Sequence, residues 1–249
     1  MEPPRQIPED LYDEFTMDGK CKVYNWYFNH SSPNNEGSNW DEIIDTYLLR
    51  FKNEKIFENL HGQEPYAYGS LLHVQAISKY PVMGKSVAVI GSLTPWVECI
   101  LLNNGAREVT TVEYNVPKFT KYSNLKTISY EDFCKSEAKY DAIFSYSSIE
   151  HSGLGRYGDP LNPNGDIETL IEIRNHLTKD GLLYLGIPVG KDAIAWNAHR
   201  IYGPLRLEMI SKMFDELDWF GVVSKDFLKN PPETIAGPQP IIIYSPCAL

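Results

Sequence analysis

The sequence predicts an α/β fold in which a mostly parallel sheet is covered by helices on both faces. Short apolar or β-branched runs, VAVI at 87–90, EVTTVEY at 108–114, YDAIFSY at 140–146 and GLLYLGIP at 181–188, alternate with segments of helical character. Strands separated by helices in this way argue for a mostly parallel sheet covered on both faces. A chain of 249 residues with 43% hydrophobic and 22% charged content can build one large core, and that balance excludes a disordered or fibrous chain.

The elements follow in order. Residues 1–40 are punctuated by Pro3, Pro4, Pro8 and the polar stretch Ser31–Asn39, and read as an irregular arm. Within it, KVYNWYF at 22–28 supplies aromatics, Trp26 and Tyr27 among them, expected to pack on the main body. From Asn39, a plausible cap, Ile43, Tyr47 and Phe51 recur at helical spacing. SLLHVQAISKY at 70–80 is a second amphipathic helix, stopped by Pro81. KSVAVIGS is then a strand ending in Gly91, and PWVECILLNNGA is a helix that tolerates Pro95 in its first turn and ends near Gly105.

EVTTVEY is the second strand of this series and YSNLKTIS leads into the third. YEDFCKS is a short helix or turn, KYDAIFSYSS the fourth strand, GDIETLIEIRNHL a helix and GLLYLGIPVG the fifth strand. RLEMISKMFDELDWF at 206–220 reads as a helix with Leu207, Ile210, Met213, Phe214 and Leu217 on one side. A sixth strand within WFGVVSKDFL and a last one in QPIIIYSP form an antiparallel hairpin closing the sheet edge. The expected organisation is an arm and helical extension over 1–83, packed on a main domain over 84–249.

Lys plus Arg total 23 against 33 Asp plus Glu, a net charge of -10, and no basic patch interrupts the acids. That excludes general binding to nucleic acid or to anionic membranes and is compatible with a neutral or cationic small partner. A glycan also fits, since 16 Tyr and 5 Trp offer flat faces with polar edges. Cys21, Cys99, Cys134 and Cys247 lack zinc or disulfide-framework spacing, which favours a reducing compartment and a cytoplasmic location. The opening residues form no secretory signal, and no apolar run approaches the ~18 residues of a membrane span. Nothing in the sequence fixes an oligomeric state.

The decisive constellation is VAVIGSLTPWVECILLNNGA followed by EVTTVEY. Glycine at 91 lets backbone approach a ligand closely, and Glu113, one strand-helix-strand unit later, stands where an acid can accept hydrogen bonds from ribose hydroxyls. The further glycines of a pyrophosphate cradle are absent, since Ser92, Leu93, Thr94 and Pro95 follow Gly91, and no Walker loop occurs. A nucleoside cofactor without phosphate is the better fit.

On these residues the chain resembles the class I S-adenosylmethionine-dependent methyltransferases, over roughly 84–249, and is similar to a divergent nematode family of unknown function with that fold. The resemblance implies a Rossmann-like methyltransferase fold and S-adenosylmethionine as cofactor. It assigns VAVIGS, with Gly91 and Ser92, to the first motif and Glu113 to the acid after the second strand. Glu131 and Asp132 match the segment after the third strand, and FSYSSIEH matches the fourth-strand motif. Asp132 would then meet the adenine amino group, Phe133 would pack near the ring, and Ser145 and Tyr146 would border the methionine portion.

SSIEHSGLGRYGDP concentrates Glu150, His151, Arg156, Tyr157 and Asp159 at the sheet's carboxyl edge. His151 is the expected general base, because imidazole titrates in the range suited to taking a hydroxyl proton, and His199 is the backup. Arg156 and Tyr157 are candidate acceptor-binding residues, as are Trp196, Asn197, Arg200 and Tyr202 in AWNAHRIYGPLR. Asp159, Asp166 and Glu168 lack a specific metal-binding signature, and no metal site is predicted. Tyr66 and Tyr68 are placed as candidates for a cover over the cofactor pocket. The expected activity is methyl transfer to oxygen on a polar small molecule or glycan. The alternative is a noncatalytic nucleoside- or small-molecule-binding protein on a degenerate methyltransferase fold.

Overall fold

The computed structural model describes residues 2–30, 38–52, 67–221 and 227–247. Tyr66, most of the Ser31–Asn39 stretch and the VVSKD portion of the expected sixth strand lie outside the described residues.

The main sheet has seven strands: β2 (Ser86–Ile90), β3 (Glu108–Glu113), β4 (Leu125–Ser129), β5 (Tyr140–Tyr146), β6 (Leu177–Gly186), β9 (Phe214–Phe220) and β10 (Ile241–Pro246). Their spatial order is β4-β3-β2-β5-β6-β10-β9. The first five pair in parallel, and β10 inserts antiparallel between β6 and β9. The last two strands therefore close one edge, and the sheet order reverses beside β2, the place where such folds open a ligand crevice.

Side-chain alternation along the strands feeds two cores. Val87 and Val89 of β2, with Phe144, Tyr184, Ile241 and Ile243, face one cluster. It is shared with α2 (Asp41–Phe51), α3 (Ala67–Lys79) and α4 (Trp96–Asn103), which contribute Ile44, Leu72 and Ile100. Ala88, Ile90, Ile143, Leu185 and Ile242 face the other cluster. There they meet Phe133 of α5 (Tyr130–Lys135), Ile173 of α6 (Gly165–His176) and Ile210 of α7 (Pro204–Ser211). The doubly covered parallel sheet read from the sequence is the observed architecture.

Two expectations are corrected. The expected helix over 206–220 ends at Ser211, and Phe214–Phe220 is β9, with Phe214 buried and Asp215 exposed. Leu207, Ile210, Phe214 and Leu217 satisfy a helical period, yet pairing with β10 decides the outcome. AWNAHRI, given no strand in the sequence reading, forms β7 (Ala193–Asn197) and β8 (His199–Ile201). With β1 (Lys22–Trp26), which pairs parallel to β7, they make a separate three-stranded sheet. On that sheet Trp196 packs edge-on against Phe15 of α1 (Tyr12–Thr16) at a centroid distance of 5.2 Å.

Candidate active site

A cavity of about 490 Å³ opens at the carboxyl ends of β2, β3 and β5, within the range of about 300–1,000 Å³ usual for small-molecule sites. Gly91, Glu113, His151, Arg156, Tyr157 and His199 all lie on its wall. A larger hollow of about 660 Å³, between Gln6, Tyr12, Tyr24 and Trp196, touches no strand end of the main sheet.

Gly91 turns the chain out of β2 at φ 76°, a left-handed conformation that favours glycine, and its N–H donates to Val112 O at 3.0 Å. Its open side is taken by Ser148, so the glycine is needed for packing as well as for access. Ser92 is buried, and its Oγ donates to Glu98 Oε2 and Thr94 O, each at 3.0 Å. Glu98, fully buried on α4, also accepts from Thr111 Oγ1 at 2.8 Å. Glu113 ends β3 and accepts from the Tyr114 N–H at 2.8 Å, with further support from the Asn115 and Ser92 N–H groups. Burial pushes its carboxyl above the ordinary range against those amide bonds. The turn after β2 is thus stitched from both sides, by a buried acid beneath and by the acid of the neighbouring strand.

Burial raises Glu98 to about 7, partly opposed by the hydroxyl hydrogen bonds. Between the ordinary carboxylate value and about 7, the folded protein holds a proton there that the unfolded chain has released. This contribution to stability is complete below that window and is lost as pH rises through about 7. Glu98→Gln keeps partners for both hydroxyls and removes the titration. Urea unfolding of variant and wild type at pH 5 and pH 8 should therefore show the difference moving in the variant's favour at pH 8, and a pH-independent difference would overturn the assignment.

His151 lies on a short 3-10 turn after β5. Its Nδ1–H donates to Ala198 O at 2.6 Å, leaving Nε2 as an acceptor 3.8 Å from Glu150 Oε1. The expectation of a normal titration range is corrected, because burial and then the Arg156 charge lower His151 to about 3. It is a neutral imidazole throughout the physiological range. Its neighbour Glu150 is 1% exposed, and burial raises it to about 7. His199 uses Nε2 on Ile235 O at 2.9 Å and is likewise held low, mainly by burial. The two imidazole centroids stand 6.2 Å apart.

Other expected site residues lie elsewhere. Asp132 is at the start of α5, where Ser129 caps the helix and its hydroxyl donates to Asp132 Oδ2 at 2.7 Å. Phe133 is fully buried and stacks on His176 at 4.0 Å, so Tyr130, not Phe133, presents this segment to the cavity. Ser145 is buried within β5, and Tyr146 faces His73 and Trp96 on the opposite core. Ser147 and Ser148 border the cavity in their place.

The four candidates in AWNAHRIYGPLR are all buried. Trp196 Nε1 donates to Pro4 O at 3.1 Å, and Asn197 Oδ1 accepts from the Phe28 N–H at 2.8 Å. Arg200 donates to the carbonyls of Ser152, Asn162 and Pro163, and Tyr202 donates to Asp166. These groups hold loops together, and none of the four lines the cavity. Asp159 accepts from Gly153 and Gly155 N–H, Asp166 pairs with Arg206 and Glu168 accepts from Asn162, so the three acids do not converge. Among the described residues no group of three or more His, Cys, Asp or Glu is placed to hold a metal.

The cavity wall also includes residues given no site role in the sequence reading, which expected Trp26 only to pack on the main body. Tyr114 and Tyr130 approach at 5.2 Å between centroids, while Trp26 and Phe28 arrive from β1 and the segment after it. Aromatic character was their signal, but the arrival of Trp26 and Phe28 beside the two tyrosines depends on pairing of β1 with β7, far away in sequence.

Residues 84–231, more than half of the chain, match the family described as "Caenorhabditis protein of unknown function, DUF268". The chain belongs to this family. Its fold is that of the class I S-adenosylmethionine-dependent methyltransferases. N-methyltransferase NodS from Bradyrhizobium japonicum WM9, in complex with S-adenosyl-L-homocysteine, superposes with a TM-score of 0.51 at 10% identity, over 83% of this chain and 99% of that one. The 1,6-didemethyltoxoflavin-N1-methyltransferase of Burkholderia thailandensis gives 0.49 at 14% identity, over 81% and 88%. A Streptococcus mutans chain assigned to the SAM-dependent methyltransferases gives 0.45 at 14% identity over 70% of this chain, which spans 48% of that longer one. No curated protein matches the sequence. Among the described residues no helix is long and apolar enough to cross a membrane.

Proposed function

We propose that this DUF268 chain transfers a methyl group from S-adenosylmethionine to a hydroxyl oxygen of a polar small molecule or glycan. The observation that carries the reading is the meeting of Gly91 and Glu113 on one cavity at the carboxyl ends of adjacent strands. The residues present suit an adenosyl group: a carboxylate acceptor at Glu113, the Tyr114 and Tyr130 rings, and apolar Ile90, Val112 and Ile149. When bound, the cofactor supplies an electrophilic methyl. The chain's own work is to accept the ribose hydroxyls at Glu113, to align the acceptor, and to receive its proton at an imidazole nitrogen not already donating, Nε2 of His151 or Nδ1 of His199.

The low-lying His151 favours a second reading, a binding protein without turnover, because such a weak base gives little driving force for proton removal. Calorimetric titration with S-adenosylhomocysteine tests the step common to both readings. Wild type should bind, and Glu113→Gln, chosen because it keeps an oxygen for the supporting amides, should bind about tenfold more weakly from loss of a charged acceptor. Equal affinities in folded proteins would remove Glu113 from the site. In His151→Ala, transfer to an acceptor found by panel screening should fall while S-adenosylhomocysteine affinity stays, whereas equal losses would make His151 part of the pocket's assembly.

A further inference from the structure

The outer part of the cavity holds a charge that the chain's overall balance of -10 does not foretell. Arg156 stands there with its guanidinium carbon 4.4 Å from the Phe28 ring centroid and 5.1 Å from that of Tyr157. Its Nη1 donates to Ala198 O at 3.1 Å and its Nε to His30 Nδ1 at 3.3 Å. Among the described residues Nη2 has no hydrogen-bond acceptor and no carboxylate forms an ion pair with Arg156. Asp159, the acid nearest in sequence, is committed to the N–H groups of Gly153, Gly155 and Tyr157.

The imidazoles around it add no second charge. His30, His151 and His199 are each held below the ordinary imidazole range, first by burial and in part by Arg156, so none adds a second cation. Trp26 packs on Phe28 and on His199, at centroid distances of 5.7 and 5.4 Å, completing an aromatic rim around the guanidinium. A planar guanidinium stacked on rings, with Nη2 left to donate beside a cavity, is suited to a charge-assisted hydrogen bond to a carboxylate or phosphate oxygen.

We propose that the acceptor is an anion, a hydroxylated small molecule bearing a carboxylate or phosphate that Arg156 binds, with its body against Trp26 and Phe28. The inference rests on the methyltransferase reading for the word acceptor, while the anion subsite is independent of it. Arg156 shares its wall with the β1 side of the cavity and is fixed to Ala198 between β7 and β8, apart from the β2 and β3 ends assigned to the nucleoside. An anion paired there also cancels one cause of the His151 depression and so raises that imidazole's basicity when acceptor is present.

The test uses the whole protein saturated with S-adenosylhomocysteine and three probes: glucose, glucuronate and glucose 6-phosphate, with binding read by calorimetry and tryptophan fluorescence. At least one anion should bind about tenfold more tightly than glucose, a difference of the size expected for a charge-assisted pair, and which anion wins distinguishes carboxylate from phosphate. Arg156→Gln should erase that preference, Arg156→Lys should retain part of it, and S-adenosylhomocysteine affinity should stay within about twofold in both. Equal affinity for all three probes, no binding of any, or a preference that survives in Arg156→Gln would overturn the proposal. So would a loss of S-adenosylhomocysteine affinity in Arg156→Gln, which would give the guanidinium to the cofactor's own carboxylate. Failure of wild type to bind S-adenosylhomocysteine would instead overturn the cofactor reading, and the same three probes without it would still decide the anion subsite.

Discussion

Gly91→Ala is expected to destabilise the protein by about 2–4 kcal/mol, from a backbone held at positive φ and from overpacking at a filled contact. A Cβ at this position would overlap Ser148 Oγ and lie 2.5 Å from Ser148 Cβ, with the backbone at φ 76°. The two causes can be separated. In a Ser148→Gly background the collision is gone and the φ penalty remains, so a double-mutant cycle on urea unfolding should give a favourable coupling of about 1–2 kcal/mol. Additive losses would mean that Ser148 is not the obstacle. A folded Gly91→Ala/Ser148→Gly protein also isolates the ligand question: weakened S-adenosylhomocysteine binding there reports close approach at residue 91, free of the packing defect.

The β2-α4-β3 unit was legible because its signals are local. A β-branched run, a glycine at the turn, a helix with proline at its start and an acid after the next strand all lie within about one supersecondary unit. Glu98 was passed over for the opposite reason. An acid in a helix reads as a solvent-facing residue, and only the fold brings Ser92 and Thr111 hydroxyls to its carboxyl. Trp196, Asn197, Arg200 and Tyr202 are buried away from the cavity wall, and the same limit hides that from the sequence. A polar, aromatic segment looks like a ligand surface until β1, more than 160 residues earlier, is seen to pair with Ala193–Asn197, and the carbonyls of the 150–165 loop and Asp166 to take up Arg200 and Tyr202. β9 shows the limit of periodicity itself, since spacings of three and four satisfied a helix while the neighbouring strand β10 settled the conformation. At the cavity, Gly91 and Glu113 from the β2 and β3 ends and His199 from β8 line the wall, whereas Ser145 and Tyr146 of β5 and Trp196, Asn197 and Arg200 of the small sheet do not.

The second large effect is expected at Asp166, because it is the carboxylate between two buried guanidiniums. Arg206 Nη1 donates to both of its oxygens, at 2.8 and 2.9 Å, Tyr202 OH donates at 2.8 Å, and Arg200 Nε stands 3.6 Å away. Asp166 and Arg200 are 0% exposed and Arg206 3%. Arg200 carries its charge among carbonyl oxygens of Ser152, Asn162 and Pro163, and burial lowers its pKa while Asp166 opposes that shift. Asp166→Asn keeps the shape and removes the counter-charge, leaving two cations without a carboxylate in a dry interior. The expected loss is about 3–5 kcal/mol, the range for breaking a buried pair by removing one partner. The consequence reaches the cavity, because Arg200 and Arg206 tie the 150–165 loop, which carries His151 and Arg156, to β8 and α7. Chemical unfolding should show the loss, and hydrogen exchange should show the amides of Gly153 and Gly155 losing protection before those of β2 and β5. A loss under about 1 kcal/mol, or unchanged exchange in the loop, would mean that the carbonyl oxygens alone hold these charges and that the loop owes its place to packing of Leu154 against Phe15 and Trp196.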